Sequence, residues 1–149
     1  MIAEFTTLPL QFDTPLAAEL FLLGRLLFGG VLAFTGLNHF TDIDGMAGYA
    51  EFKGLPLPRF SVIASGVLLT LGGLGIVVGA FPVLAAGALA VFLIVSAVTM
   101  HDFWAADDPE EQQSEMTSFL KNLYGAGAAL ALLALGGTAW PYGVGIGLF

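Results

Sequence analysis

One arginine, two histidines and a few neighbouring polar residues hold whatever chemistry this chain can do beyond apolar contact. Arg25 lies inside the apolar stretch Leu16–Phe40, and Asn38 and His39 sit at its far end. His101 and Asp102 close a second stretch, Pro82–Met100, while Lys121 and Asn122 enter a third, Phe119–Gly136. Arg25, Gly29, Leu32, Gly36 and His39 follow one another at steps of three or four residues, so they share one face of a helix. Gly87, Ala90, Ile94, Ala97 and His101 do the same. If the helices carrying these residues adjoin, Asn38, His39, His101, Asp102, Lys121 and Asn122 gather at one membrane surface. Arg25 then lies ~20 Å deeper than His39, at 1.5 Å rise per residue. Such a set has donors for carbonyl oxygens and imidazoles that move protons, beside faces of small residues wide enough for an apolar ligand.

Each feature also has a plainer use. Small-residue stripes are normally packing faces. Histidines at helix ends satisfy carbonyls or reach to water. Asp102 with Lys121 reads equally as an ion pair joining two helices, and the acidic run Asp107–Glu115 as a solvated helix start. Arg25 is the hardest to leave idle, because a guanidinium at membrane depth costs about 3 kcal/mol on insertion scales. Two histidines with Asp42 or Asp102 lack any metal or haem spacing motif, so neither haem nor a metal ion is called for. No phosphate loop, nucleophile elbow or zinc-protease signature is present.

The elements that must position these residues are apolar helices. Four stretches, Leu16–Phe40, Phe60–Phe81, Pro82–Met100 and Phe119–Gly136, approach the ~20 residues needed to cross a bilayer. The expected fold is all-α, a four-helix transmembrane bundle forming a single integral membrane domain over 1–149. Its helices should run over about 15–40, 59–81, 82–102 and 109–136. A short amphipathic helix is expected in the first loop, capped by Asp44, running over Met46–Lys53 and stopped at Gly54. Asp13 or Thr14 is placed to cap the first helix with Pro15 at its first position, and Asp108 with Pro109 to start the fourth. Gly72, Gly75 and Gly79 should admit a close neighbour, and Phe81-Pro82 leaves room only for a tight return. Trp104, Trp140 and Tyr142 read as interfacial aromatics, and the glycine-spaced end Gly143–Phe149 as loosely held.

Composition bounds the rest. Hydrophobic residues make up 57% of the 149 and charged residues 11%, with a mean hydropathy of +0.88, so the main partner is the lipid bilayer. Net charge is −8, from 4 basic and 12 acidic residues, as a high-salt cytoplasm favours. With no basic patch, nucleic acid is excluded as a partner. There is no cysteine, hence no disulfide or thiolate chemistry within the subunit. The segment MIAEFTTLPLQFDTP lacks a basic n-region and reads as a mature terminus. The chain is therefore expected in the cell membrane as a multi-pass protein. An even number of spans puts both termini on one side, and Lys53, Arg59 and Lys121 on the other make the termini extracytoplasmic.

Four segments give the chain a family likeness: Gly24-Arg25-Leu26-Leu27-Phe28-Gly29-Gly30, Gly36-Leu37-Asn38-His39-Phe40, Phe52-Lys53-Gly54-Leu55-Pro56 and Phe119-Leu120-Lys121-Asn122-Leu123. In order and spacing, from about Leu20 to Leu135, the chain resembles the DoxX family of four-helix membrane proteins, in its haloarchaeal form. The resemblance implies a membrane subunit associated with redox chemistry. The related DoxD type belongs to a thiosulfate:quinone oxidoreductase, other relatives join oxidative-stress complexes, and distant ones assist assembly of membrane channels. Two departures matter. Many members carry a glutamate in the second span, where this chain has Leu69-Thr70-Leu71, and sulfur handling would need a partner subunit.

Taken with the resemblance, the expectation is a quinone-binding, redox-associated subunit served by a soluble or membrane redox partner. In it the small-residue faces of the first and third spans form a slot, His39 and His101 donate, Arg25 or Lys121 polarises a carbonyl, and Asp102 orients a histidine. A non-enzymatic scaffold or assembly factor is the alternative. A small-solute transporter is another, and four spans would then work as a homo-oligomer.

Overall fold

The computed structural model describes residues 12–148. The opening segment, apart from its last few residues, and Phe149 lie outside them. Among the described residues the helices are α1 (Ala17–Asn38), α2 (Ile43–Phe52), α3 (Pro58–Val78), α4 (Pro82–Met100) and α5 (Pro109–Ala134), with a 3₁₀ turn at Phe103–Ala105. Helices α1, α3 and α4, the last continued through the 3₁₀ turn, are long and apolar enough to cross a membrane. The expected fourth span is not among them. The first ten residues of α5 carry Glu110, Glu111 and Glu115, and its apolar part, Phe119–Ala134, is only ~24 Å long.

Local chemistry explains the boundaries, with some corrections. Helix α1 does not start at a side-chain cap. Leu16 adopts a left-handed conformation (φ 64°), and neither Asp13 nor Thr14 caps through its side chain. In the loop, Asp42 rather than Asp44 caps α2, accepting from the Gly45 N–H at 3.0 Å. Asp44 already lies in the first turn, where it pairs with Arg59 at the start of α3. Asp108 caps α5 as expected, accepting from the amides of Glu110 and Glu111 at 3.1 Å, with Pro109 following. Gly79, at φ 70°, ends α3 and begins the tight return to α4.

Packing decides what the small residues do. Helix α1 packs mainly on α3, α3 on α4, and α4 on α5, so α3 stands between the first and third spans. The buried face of α1 is Arg25, Gly29, Ala33 and Gly36, and it meets Gly66, Thr70 and Gly73 of α3. A Cβ on Gly29 would lie 2.5 Å from the Gly73 carbonyl oxygen, and one on Gly36 2.5 Å from the Thr70 nitrogen. This is backbone-to-backbone contact of the kind only glycine allows. The stripe on α1 is therefore a packing face filled by α3, and the slot expected between the first and third spans is not there. The third-span stripe also differs: Ala90 and Ala97 are buried with Ala86, Leu89 and Leu93, whereas Ile94 faces outward. Gly72 and Gly75 face α4, as a close approach requires, against Leu89 and Ala85.

The glycine-spaced segment after α5 is also held, contrary to expectation. The Val144 amide donates to the Val78 carbonyl at 3.0 Å, and the Phe81 amide to the Ile146 carbonyl at 2.7 Å. Trp140 is buried. Its ring meets Phe21 edge-on at 5.2 Å, and its indole N–H donates to the Leu135 carbonyl at 2.9 Å.

Candidate functional site at the membrane rim

The seven polar residues singled out in the sequence do not form one cluster. Arg25 is fully buried at the α3–α4 turn, at the opposite end of α1 from His39. Its Nε donates to the Ile76 carbonyl at 3.0 Å, Nη2 to Val77 at 2.8 Å and Nη1 to Pro141 at 2.5 Å. The rings of Phe21 and Trp140 lie 5.7 and 5.3 Å away. A helix leaves its last four carbonyls without intrahelical partners. In α3 those are Gly75, met by Gly79 and Ala80; Ile76 and Val77, met by Arg25; and Val78, met by Val144. The guanidinium completes the end of α3.

At the other end, Asn38 is exposed, and His39 turns its Nδ1 to the Thr35 carbonyl one turn back at 2.8 Å. Lys121 is exposed, while Asn122 is buried between helices and donates to the Ser96 hydroxyl at 3.2 Å. Asp102 pairs not with Lys121 but with Lys53 of the first loop, at 2.5 Å.

Only His101 and Asp102 remain together, and the residues that join them come from elsewhere. Tyr49 and Lys53, four residues apart on and just after α2, face the end of α4, and Glu115 reaches in from α5. The Tyr49 hydroxyl donates to Glu115 Oε1 at 2.5 Å and lies 3.2 Å from the Met100 carbonyl. Glu115 Oε2 meets His101 Nδ1 at 2.8 Å, and the Lys53 ammonium stands 5.5 Å from the Tyr49 ring. Three helices thus meet at five polar side chains.

The electrostatics assign the protons. Burial works to raise Glu115, but hydrogen bonds from Tyr49 and His101 and the charge of Lys53 outweigh it and hold the carboxyl below its ordinary value. Burial and the Glu115 carboxylate push Tyr49 up to about 12. Burial works to lower Lys53, yet its bond to Asp102 and the neighbouring negative charge raise it. An ionised Glu115 can only accept, so His101 must donate from Nδ1. Its Nε2 is then left outside that hydrogen bond, on a side chain 22% exposed at the rim. The arrangement is a carboxylate-oriented imidazole with a phenol and an ammonium beside it, suited to accept and return a proton. Among the described residues no group of three or more His, Asp or Glu side chains is placed to hold a metal ion.

Glu115 hides in the sequence within an acidic run, where carboxylates normally face water. Tyr49 and Lys53 did carry a signal: their i, i+4 spacing puts them on one helix face.

The comparison with known families decides the lineage. The DoxX family model matches residues 20–102. This chain belongs to the DoxX family. The match takes in Arg25 and the glycine contacts of α1 with α3, together with Tyr49, Lys53, His101 and Asp102 of the rim. Glu115, which completes the DoxX rim cluster here, lies beyond it. No curated protein and no solved structure matches the chain.

Proposed function

We propose that this DoxX protein is a redox-associated membrane subunit that binds a quinone head group at the rim cluster. The observation that carries the reading is the pairing of His101 Nδ1 with Glu115, which leaves Nε2 free for proton exchange at the membrane surface. The residues fit such a ligand: protonated at Nε2, His101 donates to a carbonyl oxygen, and Lys53 with Asp102 keeps a charged pair next to it. A bound quinone supplies two-electron, two-proton redox chemistry, with electrons from a redox partner subunit. His101 would pass on the two protons in turn, giving up its Nε2 proton and regaining one from water each time, while Glu115 keeps the ring oriented and Tyr49 keeps Glu115 in place. Arg25, Asn38, His39, Lys121 and Asn122 have no part in this step.

In this reading the whole chain forms one membrane domain. The apolar part of α5 crosses alongside α4 as a fourth span, and the basic residues make the rim cytoplasmic. Quinone binding to the protein in lipid nanodiscs tests the proposal, with a short-chain quinone titrated against wild type and His101→Gln. Losing one charge-assisted hydrogen bond should weaken binding by about tenfold or more. Equal affinities would reject the assignment.

A scaffold or assembly role is the second reading. It is favoured by the fact that Tyr49, Lys53, Asp102 and Glu115 are each already paired within the chain. A protein that binds no quinone, and in which rim substitutions alter only stability, would point there.

A further inference from the structure

The ends of α1 and α3 are staggered. Arg25 is level with the last turn of α3, so α1 runs on for eight residues, Ala17–Gly24, past that turn. At 1.5 Å per residue that leaves a ledge of ~12 Å. The segment Trp140–Leu148 fills it. Trp140 packs on Phe21, the Tyr142 hydroxyl donates to Glu19 at 3.0 Å, and Gly79 and Gly143 meet so closely that a Cβ on Gly79 would lie 2.9 Å from the Gly143 Cα. Beyond that point the chain alternates glycine with Val144, Ile146 and Leu148, whose side chains are 56, 53 and 65% exposed. Gly147 and Leu148 border Phe81, Pro82, Val83 and Leu84 at the start of α4. The exposed aliphatics are thus continuous with the outward face of a membrane-spanning helix.

We infer that Gly143–Leu148 is a strap seated in the lipid bilayer at the end opposite the rim cluster, with Arg25 as its latch. Three outward aliphatic side chains joined to a lipid-facing helix favour hydrocarbon over water. The backbone limits the depth. Among the described residues, the amides of Gly145, Ile146, Gly147 and Leu148 make no backbone hydrogen bond, and such groups do not enter the hydrocarbon core. The strap therefore lies at the level of the lipid carbonyls, side chains inward and free amides toward head groups and water. Arg25 holds it through the Pro141 carbonyl with the same guanidinium that completes α3.

Because the chain lacks cysteine, single sites can be spin-labelled directly. In liposomes, a label at Ile146→Cys should collide with oxygen in preference to an aqueous nickel chelate. Its ratio should fall between those of Leu27→Cys, on the lipid face of α1, and Glu110→Cys, at the polar start of α5. A ratio equal to that of Glu110→Cys would place the strap in water and overturn the proposal. A ratio equal to that of Leu27→Cys would overturn the shallow depth. Dipolar broadening between labels at 146 would mean that a second copy, not lipid, covers the segment. In the same background, Arg25→Lys should raise nickel access at 146, and no change would remove Arg25 as the latch. The label at 146 in the Arg25 protein decides the lipid placement even if the variant fails to fold.

Discussion

The two ends of this bundle use charge in opposite ways. At the α3–α4 turn, one guanidinium is buried with no carboxylate bonded to it among the described residues, and its hydrogen bonds go to neutral carbonyls of Ile76, Val77 and Pro141. At the rim, Tyr49, Lys53, His101, Asp102 and Glu115 are arranged as acid–base partners, partly open to solvent. The charge at the first end is a guanidinium, which stays ionised across the neutral range. The second is built of groups whose proton affinities depend on one another. A lone buried charge satisfied by helix-end dipoles behaves as a structural fastener, and a mixed pair of acids and bases at a surface is where proton chemistry can occur. Burial of a charged residue in an apolar sequence therefore does not by itself locate function. What matters is whether its partners are dipoles or other titratable groups.

The contrast is broken most forcefully at the fastened end. Arg25→Met leaves three carbonyls without their donor and should destabilise the protein by about 3 kcal/mol or more, at roughly 1–3 kcal/mol for each buried unpaired group. Unfolding in mixed detergent micelles measures this. Arg25→Lys should recover only part, because one ammonium cannot match a planar fork aimed at divergent carbonyls. A loss below 1 kcal/mol for Arg25→Met would mean the guanidinium is not holding α3. Next in size is the α1–α3 seam. Gly29→Ala forces a methyl to within 2.5 Å of a backbone oxygen, whereas Gly30→Ala on the same helix meets nothing within 4 Å. The first should cost about 1–3 kcal/mol by overpacking and the second nothing or a slight gain. Equal effects would say that the two helices do not touch along this face.

How much of this the sequence shows depends on the range of the interaction. Spans α1, α3 and α4 and the cap of α5 follow from hydropathy and from Asp108-Pro109, which act within a few residues. The buried face of α1 was also legible, because Gly29 and Gly36 recur at helical spacing. Which neighbour fills that face was not. Periodicity says that Gly29 faces inward but not that Gly73, 44 positions away, will meet it. The same limit hid the rim: Asp102 had a plausible basic partner in Lys121, and only the fold brings Lys53 to it instead. Arg25 was conspicuous from composition, yet its partners are backbone carbonyls, which are present at every position and leave no trace in residue types.

The rim can be sharpened by pH, with the smallest expected effects. Glu115 lies below its ordinary value of 4.5 in the folded protein, so its stabilising contribution is complete above about pH 4.5 and is lost as pH falls through the lowered value. Glu115→Gln should flatten that part of the acid limb of stability against pH, and an unchanged limb would mean the carboxylate is not paired as described. Tyr49 and Lys53 are raised, so they stabilise the protein fully below their ordinary values of 10.0 and 10.5. Their contribution disappears as pH climbs, for Tyr49 through about 12. Tyr49→Phe keeps the ring under the Lys53 ammonium but deletes the hydroxyl, so only the tyrosine share of the alkaline loss should vanish. The phenolate absorbance gives an independent reading of the same group. All three tyrosines have exposed rings, and Glu19 raises Tyr142 as well, but only Tyr49 bridges two helices through its hydroxyl. A delayed phenolate step that disappears in Tyr49→Phe therefore belongs to the rim. If the step is absent from wild type, Tyr49 does not donate to Glu115, and the orientation of His101 loses its anchor.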